Sequence, residues 1–340
     1  METKYTFKDF KSDQEVRWCP GCGDHAVLAA LQRTLPKVSE EMGYTKEQFV
    51  VVSGIGCSSR LPYYMDTFGF HSIHGRATAV STGIKVANPS LSIWQASGDG
   101  DALAIGGNHF IHAIRRNIDI NIILFNNRIY GLTKGQYSPT SQFGMITKTS
   151  PYGTVEHPFN PGSLVLGAKG TFFARSIDTE LKLNEEIMLQ AAKHHGTSVM
   201  EMLTNCVIFN NGSHEHLSSR DVKEDRTIVL RHGEKMIFGK ERNRGLILDG
   251  QALKAVTIGE NGITEDDILV HDAHTDNVGI HMMLADMKGP DLPVALGVIR
   301  EVADVTYEDG VNNQLAEVTA KSHIRCVDDL LRSGAVWEVK

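Results

Sequence analysis

The chain has 340 residues, 41% apolar and 22% charged, enough for one large α/β domain or a domain with a sizeable extension. Its net charge of -7 argues against nonspecific nucleic-acid binding, which depends on Lys and Arg neutralising phosphates. No run of about 18 apolar residues offers a membrane span, and residues 1–10 lack the apolar core of a signal peptide, so a cytoplasmic protein is expected.

In chain order, residues 26–35 place Val27, Leu28, Leu31 and Leu35 at helical spacing. Residues 49–53 form a short β-branched run ending at Gly54, and residues 91–96 a second one ending near Gly98. Residues 103–116 read as a helix with Ile105, Phe110, Ile111 and Ile114 on its apolar side. Residues 118–125 are a third strand candidate, ending at Asn126. Residues 171–174 and 197–203 give two more, with a helix over 179–195 between them.

Strand–helix alternation predicts an α/β fold with a doubly wound, mainly parallel sheet covered on both faces. In such sheets ligands bind beyond the carboxyl ends of the strands. Four motifs follow strand candidates directly: Gly54-Ile55-Gly56-Cys57, Gly98-Asp99-Gly100-Asp101, Asn126-Asn127 and Asn205-Cys206. Four strand ends should therefore converge on one rim. Residues 134–149, rich in Ser, Thr, Gly and Gln, are expected to cover a site, and residues 153–170, with Pro158 and Pro161, read as a second loop.

After about residue 210 the pattern loosens. Residues 212–225 carry His214, His216, Asp221, Glu224 and Asp225 and read as a linker or surface excursion. Short strands at 227–230 and 294–299 and helices at 277–286 and 312–320 make this part an α+β extension. The expected division is a binding domain over 1–210 and an extension over 211–340 that packs on the core or on a partner subunit.

The chemistry centres on Gly98-Asp99-Gly100-Asp101, with 25 residues between Gly100 and Asn126-Asn127. A strand that ends in Gly-Asp-Gly turns tightly onto a helix N-terminus, whose free N–H groups can hold phosphate oxygens. A carboxylate beside a diphosphate requires a cation between them, and Mg2+ commonly bridges carboxylate and phosphate. Asp99 would supply one ligand and an Asn at the neighbouring strand end another. Gly-Asp-Gly alone is a common strand–turn–helix; the βαβ spacing to Asn-Asn makes it match the thiamine-diphosphate fingerprint.

The five cysteines, Cys19, Cys22, Cys57, Cys206 and Cys326, are scattered and odd in number, which argues against a disulfide framework. Cys19 and Cys22 form a C-x-x-C before a helix, without the preceding strand of a thioredoxin-like pair. Four thiolates from three segments suit zinc or an iron–sulfur cluster, and spacing does not separate the two. The electrons left after a thiamine-dependent decarboxylation need an acceptor nearby, which favours the cluster. Cys326 has no partner motif and reads as a structural thiol.

Trp18-Cys19-Pro20-Gly21-Cys22-Gly23, Gly54-Ile55-Gly56-Cys57-Ser58, His74-Gly75-Arg76-Ala77 and Tyr130-Gly131-Leu132-Thr133-Lys134-Gly135-Gln136 together resemble the β subunits of 2-oxoacid:ferredoxin oxidoreductases, most closely the 2-oxoglutarate type. The resemblance runs from about residue 17 to 206. It implies the diphosphate-binding type of thiamine-diphosphate fold, with Asp99, the Asn127 side chain and the Ile129 carbonyl as Mg2+ ligands. It places Gly98, Gly100, Asp101, Gly131 and Leu132 at the diphosphate and thiazolium. Ile55, Gly56, Cys57, Ser58, His74 and Thr82 match further cofactor contacts, although packing alone would also explain Ile55 and Thr82. Cys19, Cys22, Cys57 and Cys206 match [4Fe–4S] ligands; Cys206 lacks the Pro that often follows.

The implied reaction is oxidative decarboxylation of a 2-oxoacid with coenzyme A, electrons passing through the cluster to ferredoxin. No Glu stands in a motif suited to activating thiamine. In the family that residue comes from the α subunit, so an (αβ)2 assembly is implied. Arg60, three residues after Cys57, matches a basic residue that can bind a distal carboxylate, with Leu132 and Lys134 beside the same site; a solvated surface charge is the bland alternative. A pyruvate or broad-range enzyme, a non-redox thiamine lyase with structural zinc, and a noncatalytic binding module are the competing readings.

Overall fold

Helix α1 (Asp24–Met42) buries Val27, Leu28, Leu31, Leu35 and Val38 along one side and continues through Pro36 before ending at Gly43, whose φ is 77°. The left-handed turn there suits a glycine without a Cβ. The helix outruns the expected 26–35 because burial of Val38 outweighs the hydrogen bond lost at Pro36. The structure is a computed structural model describing residues 4–339; residues 1–3, part of the polar N-terminal stretch, and residue 340 lie outside the described residues.

Strand β1 (Phe49–Ser53) follows and is wholly buried. Then come β2 (Phe68–His71), α2 (Ala77–Ala87), β3 (Ser92–Gly98), α3 (Asp99–Leu103), α4 (Gly107–Arg116) and β4 (Asn121–Asn126). The second half of the core contributes α5 (Pro161–Gly167), β5 (Phe172–Ile177), α6 (Leu181–Lys193) and β6 (Ser198–Leu203). Downstream lie α7 (Glu215–Ser218), α8 (Lys223–Arg226), β7 (Thr227–Leu230), β8 (Ile237–Phe238), β9 (Arg244–Asp249), β10 (Ala252–Thr257), α9 (Val278–Asp286), β11 (Val294–Glu301), α10 (Tyr307–Lys321) and α11 (Val327–Leu331).

Eight strands form one sheet in the order β2-β1-β3-β4-β6-β5-β11-β7. Every neighbouring pair is parallel except β11 and β5. Side chains alternate between two apolar layers, as a pleated strand requires. Phe49 and Val51 of β1 join a layer with Leu31 of α1 and Ile187 of α6. Val50 and Val52 face the other layer, with Phe110 of α4, Val165 of α5 and Leu284 of α9. The doubly wound, mainly parallel sheet expected from the alternation is therefore present.

The segment after residue 210 does not stand apart from this sheet. β7 and β11 extend it beyond β5, and β8, β9 and β10 form a small antiparallel sheet whose Phe238, Leu246 and Leu253 continue the second apolar layer.

Several local expectations need correction. The helix expected over 103–116 is two helices, broken at residues 104–106, and Ile105 is exposed rather than packed. The break lets Gly106 approach Gly75: a Cβ on Gly75 would lie 2.4 Å from the Gly106 nitrogen. Edge strand β2 escapes detection because its four residues are exposed, and α2 because its sequence is small and β-branched. The stretch 153–170 holds α5, capped by Asn160, whose side chain accepts from Gly162 N–H and Ser163 N–H. The stretch 212–225 is a packed segment, with α7, most of α8 and buried His214 and Leu217.

Candidate cofactor and cluster site

β1, β3, β4 and β6 are adjacent and parallel, so their carboxyl ends share one rim. The four motif loops leave from that rim, as the sequence predicts. Asp101, within α3, ties the loop after β1 to the loop after β2: its Oδ1 accepts the N–H of Ile55 at 3.0 Å and of Gly75 at 2.7 Å. Gly54 and Gly100 are required by close approach. A Cβ on Gly54 would lie 1.8 Å from Asp101 Oδ2, and one on Gly100 2.2 Å from the Tyr130 ring. The Tyr130 hydroxyl donates to the Gly100 carbonyl at 3.1 Å, which holds the Tyr130–Gln136 turn against the Gly-Asp-Gly corner.

Asp99 begins α3 immediately after Gly98 and is 2% exposed. Burial pushes its carboxyl above the usual range, and the hydroxyls of Ser138 and Thr140 counter this by donating to it. The Ser138 bond is 2.6 Å, and Thr140 donates to the same oxygen. The loop over 134–149 thus covers Asp99, as its composition suggests. Asn127 forms an Asx turn, its Oδ1 accepting the Ile129 N–H at 3.1 Å, and that oxygen keeps a second lone pair. A buried carboxylate and an amide oxygen beside a glycine corner are a donor set that fits a hard divalent cation beside an anion.

Three chain segments bring the four motif cysteines together. Trp18 Nε1 donates to the Cys57 carbonyl at 2.7 Å, tying the C-x-x-C segment to the β1 loop. Gly23 N–H donates to the Asn205 carbonyl at 3.1 Å, tying it to the β6 loop. The Cys57 and Cys206 sulfurs each lie 3.5 Å from where a Gly131 Cβ would stand. Burial pushes the Cys22 thiol strongly up and the Cys57 thiol up to about 12, with the neighbouring cysteines and Asp24 adding to the effect. Cationic iron or zinc would reverse that penalty. Among the described residues, no three His, Cys, Asp or Glu converge on a single-ion site. Cys326 is exposed, not a packed thiol: it precedes α11, a helix with no buried residues.

Beside the rim lies a cavity of about 380 Å3 lined by Ile55, Gly56, Arg60, His71, Leu132 and Arg17 among others. Arg60 and Leu132 thus meet at one opening. Lys134 is exposed on the adjoining turn, at a φ of 78°. His74 is exposed two residues before Arg76, which donates to its carbonyl at 3.3 Å. Ser58 is buried near Gly98, its Oγ 3.4 Å from that glycine's Cβ position. Thr82 donates to the Thr78 carbonyl within α2 at 2.8 Å, a bond internal to the helix. The sequence reading missed His71, whose Nδ1 lies 2.9 Å from Ser53 Oγ. It also missed Ser138 and Thr140, for which the polar run 134–149 was the signal. The buried pair Arg175 and Glu201, whose carboxylate accepts from Asn126 at the rim, left no signal.

Residues 54–202 match the family described as thiamine pyrophosphate enzyme, C-terminal TPP binding domain. Fold and rim define the class accordingly, a thiamine-diphosphate enzyme domain. Over 335 residues the chain is 47% identical to the 2-oxoglutarate oxidoreductase subunit KorB of Mycobacterium tuberculosis, covering 98% of this chain and 88% of that protein. It is 47% identical over 189 residues to the 2-oxoglutarate synthase subunit KorB of Archaeoglobus fulgidus, 56% of this chain and 69% of that one. A solved structure, 2-oxoglutarate:ferredoxin oxidoreductase from Magnetococcus marinus with 2-oxoglutarate, coenzyme A and succinyl-CoA bound, superposes with a TM-score of 0.75 at 30% identity, covering 97% of this chain and 95% of that one. The chain belongs to the 2-oxoglutarate oxidoreductase KorB family.

Proposed function

We propose that this chain is the β subunit of a 2-oxoglutarate:ferredoxin oxidoreductase, which converts 2-oxoglutarate and coenzyme A to succinyl-CoA and CO2. The observation that carries the reading is the Gly54–Ser58 loop. It is held by Asp101 at its start and carries Cys57 toward Cys206 across Gly131, so one loop serves the cofactor corner and the cysteine cradle. Thiamine diphosphate, when bound, supplies the electron sink for decarboxylation, and a [4Fe–4S] cluster supplies one-electron acceptance.

The chain's own residues bind and orient. Asp99, the Asn127 side chain and the Ile129 carbonyl would hold Mg2+. Gly98, Gly100 and Asp101 at the N-terminal corner of α3 would hold the diphosphate, and Gly131, Leu132, Ile55, Gly56, Ser58, His74 and Thr82 would supply the further cofactor contacts. Cys19, Cys22, Cys57 and Cys206 would ligate the cluster. Arg60 would take the distal carboxylate of 2-oxoglutarate, with Leu132 and Lys134 at the same mouth. The Glu that activates thiamine comes from an α subunit, in an (αβ)2 assembly that passes electrons to ferredoxin. Residues 1–210 would form the cofactor- and cluster-binding domain, and residues 211–340 an extension that packs on the core or on the partner subunit. Five unpaired cysteines suit a cytoplasmic location.

The test is anaerobic co-purification with the α subunit. Iron and acid-labile sulfide, absorbance near 400 nm, and a 2-oxoglutarate rate well above the pyruvate rate are expected. Equal rates would overturn the substrate assignment, and zinc in a colourless protein would overturn the cluster.

A further inference from the structure

Beneath Asp99 runs a buried polar chain that the cofactor reading leaves unused. Thr140 Oγ1 stands against Asp99 Oδ2 on one side and 2.9 Å from Asn126 Oδ1 on the other. Asn126 Nδ2 donates to Glu201 Oε1 at 2.7 Å. Glu201 Oε2 accepts from Arg175 Nε at 2.6 Å. Arg175 Nη2 donates in turn to the Ala285 carbonyl at 3.1 Å and to Asn160 Oδ1 at 3.3 Å. Arg175, Glu201 and Asn126 are 5%, 2% and 3% exposed. A buried ion pair in that position is a costly way to obtain stability alone.

From Arg175 through Glu201 to Asn126 the donors and acceptors have one consistent assignment. Glu201, paired with Arg175, offers acceptors only. Asn126 must therefore turn its NH2 toward Glu201, which leaves its oxygen facing Thr140. The Thr140 hydroxyl has one proton to place between Asp99 and Asn126, with Ser138 Oγ a more distant neighbour at 3.3 Å. It donates to Asp99 when that carboxylate is otherwise unneutralised. When Asp99 turns the same oxygen to a cation, Asn126 stands ready to take the proton.

We propose that the Arg175–Glu201 pair is a positioning device for the divalent-cation site: it locks the Asn126 amide so that Thr140 can release Asp99 to the metal. This rests on the reading of Asp99 as a Mg2+ ligand. Arg175 is itself fixed at the end of α9, so a helix of the C-terminal third sets the cation site through the sheet. Outer-shell partners of this kind typically change metal affinity roughly ten- to a hundredfold.

The experiment measures Mn2+ affinity by electron paramagnetic resonance, with thiamine diphosphate in excess, on the complex with the α subunit. In Glu201→Gln the new amide can donate to Asn126, so Asn126 can turn its NH2 to Thr140 and hold that hydroxyl on Asp99. The expected result is a Mn2+ Kd raised roughly tenfold or more, with the rate at saturating Mg2+ and cofactor near that of the parent. Thr140→Ser should keep the parent Kd, and Asn126→Ala, which removes the acceptor that draws the Thr140 proton away from Asp99, should weaken it as Glu201→Gln does. An unchanged Kd in a folded Glu201→Gln protein would overturn the proposal; if that variant does not fold, an unchanged Kd in Asn126→Ala would do so. Asp99→Asn separates the two readings, because intact Mn2+ binding there would mean that Asp99 is not a ligand at all.

Discussion

At the scale of single residues, the site depends on side chains that are absent as much as on those present. Gly54 has no room for a methyl group because Asp101 Oδ2 lies 1.8 Å from its Cβ position. Gly54→Ala should displace the Asp101 carboxylate and loosen its bond to Ile55. The expected cost is about 1–3 kcal/mol in stability, in line with overpacked cores. Chemical denaturation and thiamine-diphosphate titration should both register it; full cofactor affinity in the variant would show that the Asp101 staple is dispensable. On the proposed cluster assignment, Cys57→Ala should collapse iron content and absorbance near 400 nm while thiamine diphosphate still binds. Arg60→Ala should raise the KM for 2-oxoglutarate at least tenfold (a lost charged pair is worth roughly 1.5–3 kcal/mol) and leave pyruvate turnover nearly unchanged. These glycines and cysteines were legible in the sequence because short motifs fix local backbone. Ser138 and Thr140 were legible only as part of a polar loop, since nothing local says which carboxylate a hydroxyl will meet.

At the scale of elements, periodic burial located most strands and the longer helices, and failed where burial is one-sided or absent. β2 is an exposed edge, and the α3–α4 break is set by a glycine in another segment. The polar stretch 212–225 contains His214, a buried side chain whose Nε2 donates to the Asn126 carbonyl at 3.0 Å, so one of its polar residues serves the interior while His216, Asp221 and Glu224 are exposed. Two other histidines pin element junctions. His194, at the end of α6, lies 2.9 Å from Thr171 Oγ1 through its Nε2. His271 donates from Nε2 to the Val298 carbonyl of β11 at 2.9 Å. Burial lowers both to about 4 from the ordinary 6.5. Between those values the unfolded chain binds protons that the folded chain refuses. Their contribution to stability is therefore complete above about pH 6.5 and declines as the pH falls toward 4. The melting temperature should drop over that window, and the combined His194→Asn and His271→Asn variant should show a shallower slope.

At the scale of the whole molecule, the C-terminal third divides into a part the sheet needs and a part it does not. β11 covers the edge of β5, and β7 covers the edge of β11. Truncation after residue 226 should leave β5 as an open, apolar edge and yield an aggregating protein, read by size-exclusion chromatography. Truncation after residue 321 removes only α11 and the tail, where no described residue is buried. That protein should keep its melting temperature; a large loss would mean that the tail packs more tightly than its exposure shows.

The sequence by itself determined the alternation of strands and helices, the four rim motifs and the C-x-x-C segment, because each is written in neighbouring residues and their periodicity. Tertiary structure alone decided how β7 and β11 complete the sheet, which hydroxyls hold Asp99, and that Arg175 and Glu201 stand behind it. Those features join residues far apart in the chain. Their energy comes from burial and from complementary donors and acceptors across strands, and neither leaves a periodic trace along a single stretch of sequence.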